Sequence, residues 1–174
     1  AGLMFRDSIE LAELKYPFRV SELRIRQDSE GAGRRRGAPG ATVRFGPKWD
    51  PMDAAYVTDC VLFPPRGTQG GLDAAGSVAF MRDAAGSDRE ILQIGAITLQ
   101  PGEEIGQHST GGGGYGSPHE REPERVRADV LAGFVSFERA RDVYGVVFES
   151  TTAHSGLRVD EAETARLRAE STSS

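Results

Sequence analysis

Four consecutive glycines, Gly111, Gly112, Gly113 and Gly114, followed by Tyr115, Gly116, Ser117 and Pro118, constrain this chain more than any other stretch. Ordering glycine costs more backbone entropy than ordering any other residue, so an ordered run of four needs a compensating reason. Either the backbone takes positive φ, or another group packs where a Cβ would otherwise sit. The run leads through a charged segment, 119–127, into an apolar helical pattern. It reads as a tight structural loop into a helix, or as a loop whose bare N–H groups face a ligand or another subunit.

The remaining composition narrows the classes. With 174 residues, 38% hydrophobic and 27% charged, the chain is globular and long enough for one modest core. A net charge of -5, with arginine far outnumbering lysine, argues against a general nucleic-acid binder. The single cysteine, Cys60, excludes an internal disulfide and a cysteine metal cluster. No apolar run reaches membrane-spanning length, and the start lacks a basic region followed by an apolar one.

Along the chain, residues 8–15 suit a short helix or an extended lead-in. Tyr16, Phe18 and Val20 alternate as in a strand. The alternation slips before Leu23 and Ile25, which predicts a bulge or a break there and turns Arg24 and Arg26 away from the core. Residues 27–40 form a Gly/Arg loop whose Arg34, Arg35 and Arg36 make either a solvated turn or a basic rim for an anionic ligand or partner. A strand at 41–45, a turn at 47–53 and a β-rich stretch at 54–63 follow, with Cys60 read as a buried, inert thiol. Residues 77–82 and 89–94 bracket DAAGSD as a hairpin. Ile97 and Leu99 continue the β pattern, and Ile105 resumes it after a turn at Pro101 and Gly102.

Val126, Val130, Leu131 and Phe134 make the stripe of a helix over 124–134, with Pro123 in its first turn. Ser136 caps a second short helix that Gly145 closes, and 146–148 reads as a last strand. Asp160 and Glu163 open a helix over 161–169. The fold class is therefore mainly β: sandwich or barrel-like β layers with two or three short helices near the C-terminus.

Catalytic motifs are missing. His108, His119 and His154 have no second ligand at helical spacing. No nucleophile sits beside a readable base, and the glycine run lacks the Lys-Ser/Thr of a nucleotide loop.

GGGGYGSP at 111–118 and RADVLAGFVSFERARDVYGVVF at 127–148 resemble the C-terminal part of the hydantoinase B/oxoprolinase family, which includes N-methylhydantoinase, 5-oxoprolinase and acetone carboxylase components. YPFRV at 16–20 and QDSEGAGRRRGAPG at 27–40 resemble a strand of that family and its Asp-Ser-Gly-Gly-Ala-Gly loop; PPRGTQGGLDAAG at 64–76 is a weaker match. Here Glu30 replaces the loop's first glycine, and Ala38-Pro39 interrupts a later glycine pair.

The resemblance implies that 1–150 is the C-terminal portion of a hydantoinase B/oxoprolinase-like domain and 151–174 a helical tail. It implies a segment or small subunit of an ATP-dependent cyclic-amide hydrolase, inert alone, or of an ATP-dependent ketone carboxylase. In the hydrolases ATP activates the amide, which water then attacks. ATP and a divalent metal are expected in the complete enzyme and no cofactor on this segment. The implied partners are a hydantoinase A-like component and an N-terminal portion of the B component, with no nucleic acid, no membrane and a cytoplasmic setting. Asp28, Ser29, Arg36, Gly111 to Gly114 and Tyr115 are the loop residues expected to face substrate or partner. Tyr115 is expected to bury its ring as the loop's anchor, and a side chain at Gly113 to harm assembly more than the fold. From another class, a non-catalytic β-rich interaction module also fits these residues.

Overall fold

The computed structural model describes residues 8–149 and 156–172. They fall into two compact units. The first comprises residues 8–24, 42–59 and 78–108; the second comprises 25–41, 60–77, 109–149 and 156–172.

The first unit holds two sheets. Strands β1 (Phe18–Ile25), β2 (Ala41–Pro47), β4 (Val78–Arg82), β5 (Asp88–Glu90) and β7 (Glu104–His108) form one, in the order β1-β2-β7-β4-β5. Strands β3 (Met52–Val57) and β6 (Ile94–Leu99) pair antiparallel as the other, with Met52 opposite Leu99 and Val57 opposite Ile94. Met81, Leu99 and Ile105 are buried together, with Phe45, Met52, Tyr56 and Ile97 packed around them. The two sheets thus share one apolar layer, and neither closes into a barrel. The mainly β class with a few short helices holds.

The hairpin around DAAGSD forms because Asp83 Oδ1 accepts from the N–H groups of Ala85 and Ser87, while Gly86 takes φ +87°. Two strand readings need correction. β1 runs as one strand through Leu23 and Ile25, without a break. Phe18, Val20 and Glu22 keep one parity, and Leu23 and Ile25 stay on the exposed face. Glu22 tolerates the inner parity because Arg44 on β2 meets it at 3.2 Å and reaches Glu104 on β7 at 3.2 Å. The β-rich stretch at 54–63 ends at Val57. Cys60 has φ +62° and is half-buried, so it belongs to a turn.

Helix α1 (Ile9–Lys15) is capped by Ser8 and buries no residue. In the second unit α2 (Pro123–Leu131) starts on Pro123, and α3 (Phe137–Asp142) starts where the Ser136 hydroxyl accepts from Arg139 N–H at 3.0 Å. Gly145 ends this segment at φ +62°. Helix α4 (Glu161–Thr172) opens with Asp160 Oδ1 accepting from Glu163 N–H at 2.9 Å. The expected last strand reduces to one bridge, Phe148 with Val159. Val126, Val130, Val135, Ala140, Tyr144, Val146 and Leu157 bury with Ala32 to form this unit's core. Arg26 does not point into water; its guanidinium donates to Gly76 O at 2.8 Å, and burial lowers its pKa. His154 lies outside the described residues.

Candidate functional site

Three glycine-rich segments of the second unit lie side by side and hydrogen-bond across their backbones. Gly31 N–H donates to Gly112 O at 2.8 Å, Gly112 N–H to Ala38 O at 2.8 Å and Gly114 N–H to Leu72 O at 3.0 Å. Leu72 N–H donates to Ala32 O at 2.7 Å, and Arg35 and Tyr115 exchange two bonds of 2.9 Å. On the other side Thr68 N–H donates to Gly114 O and Gly116 N–H to Thr68 O.

Close approach, rather than positive φ, explains the run. None of Gly111 to Gly114 takes positive φ; only Gly116 does, at +72°. A Cβ on Gly111 would stand 2.1 Å from Ser29 O, and one on Gly114 would stand 2.0 Å from Ala32 O. Facing glycines repeat the constraint: a Cβ on Gly37 would meet Gly112 O at 1.8 Å. The N–H groups of Gly112, Gly114, Tyr115 and Gly116 are all spent on carbonyls, so they are not bare donors for an anion.

The loop candidates gather around this junction. Asp28 takes φ +59°, and its carboxylate accepts from Ser136 N–H at 2.7 Å, which ties the loop to the start of α3. Ser29 is fully buried; its hydroxyl donates to Arg26 O and accepts from Gly40 N–H at 2.8 Å. Arg36 stacks 5.0 Å over Phe134 and pairs with Asp129 at 2.8 Å. The other Asp129 oxygen takes Arg121 at 2.8 Å. Tyr115 is held by its backbone, and the residue is 44% exposed. The expected burial of that ring is corrected: the two flanking segments pair with the Tyr115 backbone and leave the side chain outside.

A second buried group escaped the sequence reading. Glu30 is fully buried. Its Oε1 accepts from Arg139 at 2.8 Å and from the Tyr144 hydroxyl at 3.0 Å, while Arg139 also donates to Glu30 O. Burial, and then the Glu30 charge beside it, push the Tyr144 phenol far up, so it stays a neutral donor. Asp129 was missed too, although it sits between Val126 and Val130 on the buried stripe of α2. An acid on an apolar helix face is a legible sign of a buried pair.

Chemically, the arrangement braces rather than reacts. The carboxylates of Glu30 and Asp129 are bound to arginines, that of Asp28 holds a backbone N–H, and Ser29 is spent on backbone groups, so none of them is paired as nucleophile and base. Among the described residues no three His, Cys, Asp or Glu side chains lie together as a metal would need. Nor is any helix among them long and apolar enough to cross a membrane.

A profile of the hydantoinase B/oxoprolinase family matches residues 2–118. The chain is 33% identical over 172 residues to the caprolactamase subunit beta of Pseudomonas jessenii, covering 97% of this chain and 29% of that subunit. The crystal structure of ATP-dependent caprolactamase from the same organism superposes with a TM-score of 0.73 at 28% identity, over 93% of this chain and 28% of that one. The nucleotide-free acetone carboxylase shares the fold, with a TM-score of 0.77 at 22% identity over 96% of this chain and 26% of that one. The chain thus spans under a third of the length of these relatives, and with the family profile covering two thirds of it, it belongs to the hydantoinase B/oxoprolinase family.

Proposed function

We propose that this chain is the C-terminal framework of the B-type component of an ATP-dependent cyclic-amide hydrolase. The observation that carries the reading is the likeness to caprolactamase, present in sequence and in fold over nearly the whole chain. The braced junction fits a scaffold: it holds segments in register and leaves no group free to attack an amide. Asp28, Ser29, Arg36 and Gly111 to Gly114 are on this reading residues that shape the site, not residues that react. Nucleotide and metal are held by other parts of the complete protein and by a hydantoinase A-like companion, in the cytoplasm where ATP is supplied.

The test is ATP hydrolysis by the full-length protein with its companion, with caprolactam, 5-oxoproline and a hydantoin tried in turn. The expected result is ATP turnover stimulated by one of them, with the ring-opened acid detected by mass spectrometry. Stimulation by acetone and bicarbonate alone would place the protein with the ketone carboxylases instead. The isolated 174-residue chain is expected to be inert with every substrate, and ring opening by it alone would overturn the framework role.

A further inference from the structure

We propose that the exposed face around Tyr115 docks an acidic segment of the companion polypeptide. Tyr115 is clamped on both sides, by Arg35 in an antiparallel bridge and by Thr68 in a parallel one, so its ring is presented from a rigid backbone. Directly bridged residues project from the same side of a sheet. Arg35, Tyr115 and Thr68 are all exposed. Arg34 adds its guanidinium 5.9 Å from the Tyr115 ring and reaches Glu120 only at 3.7 Å. Arg66, also exposed, enters two residues before Thr68, with its carbonyl against Gly113. Neither Arg35 nor Arg66 has an acidic partner among the described residues.

An ordered tyrosine among arginines is the composition of an interface hot spot, because little side-chain entropy remains to be lost on binding. The charge selects the occupant. In a chain of net charge -5, the exposed Arg35 and Arg66, on the two segments that flank Tyr115 and without an acidic partner among the described residues, complement carboxylates. The face is polar and wettable, which suits a separable partner better than a permanent core of the same polypeptide. Strain supports the same place: the turn Thr68–Gly71 closes with Gln69 at φ +54°, an exposed non-glycine residue in the left-handed region.

The inference rests on the existence of a companion, not on the amide chemistry. The full-length protein carrying Arg35→Lys and Arg66→Lys keeps both charges and gains two amines. Treated with a zero-length carbodiimide in complex with the companion, positions 35 and 66 are expected to crosslink to an Asp or Glu of the companion. Arg35→Glu with Arg66→Glu is expected to weaken association at least tenfold at low salt and to flatten its salt dependence. Crosslinks confined to its own polypeptide, no crosslinks, or an unchanged affinity overturn the proposal. A complex that crosslinks as expected but opens no ring sinks the hydrolase reading alone. An active complex without crosslinks sinks the docking face alone.

Discussion

A Cβ on Gly113 would stand 2.1 Å from the carbonyl oxygen of Arg66 and 2.6 Å from its carbon. Both are backbone atoms, so neither can swing aside. The expectation that a side chain here harms assembly more than the fold is therefore revised. Gly113→Ala is expected to cost more than about 3 kcal/mol of stability, above the usual range for overpacking. Gly156→Ala, where a Cβ would meet nothing within 4 Å, is expected to stay within about 0.5 kcal/mol of the parent. Urea unfolding of the two variants checks the contrast.

Asp129 carries the charge balance of two arginines. It is 6% exposed and pairs with Arg36 and Arg121 at 2.8 Å each. Asp129→Asn keeps the shape and removes the charge, leaving both guanidiniums uncompensated. A loss of about 3 kcal/mol is expected, as for other broken buried pairs. Denaturant midpoints at low and high salt measure it; because the pairs are buried, salt is expected to change the loss little.

Asp28 does two jobs that separate by substitution. Its φ of +59° is tolerated by asparagine, and an amide oxygen can still accept from Ser136 N–H. Asp28→Asn is expected to be nearly neutral. Asp28→Ala loses the acceptor and keeps the unfavourable backbone, and is expected to cost about 2 kcal/mol. Thermal unfolding of the pair distinguishes the roles, and equal midpoints would show that the carboxylate does nothing for the loop.

His119 links stability to pH. Burial, and then the nearby charge of Arg168, lower its pKa below the ordinary imidazole value of about 6.5. The unfolded chain thus takes up this proton more readily than the folded one. The contribution of His119 is intact above about pH 6.5 and is lost as pH falls below it, towards the lowered folded value. Between pH 7.5 and 5.5 the parent is expected to lose stability more steeply than His119→Gln. Parallel losses would remove His119 as the cause.

What could be read from the sequence was local. Asp83 and Gly86 make a hairpin turn from their own neighbours, Ser136 caps the helix it precedes, and Val126 and Val130 mark a buried face one turn apart. What could not be read depended on distant partners. Leu23 and Ile25 looked inward-facing because they are apolar, but Arg44 on the next strand lets Glu22 take the inner parity. The glycine run announced a need without saying which: the carbonyls of Ser29, Ala32 and Arg66 that exclude its Cβ atoms lie far away in the chain. Glu30 looked like a lost glycine, and only Arg139 and Tyr144 show why a carboxylate stands there.

The three-segment junction also sets a condition on biosynthesis. Its first segment leaves the ribosome with Gly31, the second with Leu72, and the third only with Gly112 to Gly116. Until the third emerges, the carbonyls of Ala38 and Leu72 and the N–H groups of Gly31 and Arg35 have no partner from it. Such open, side-chain-poor strands invite pairing with other nascent chains. Translation that stalls between Leu72 and Gly112 is thus expected to prolong an intermediate with these groups open, and a lower soluble yield from slowed reading of that interval would show it.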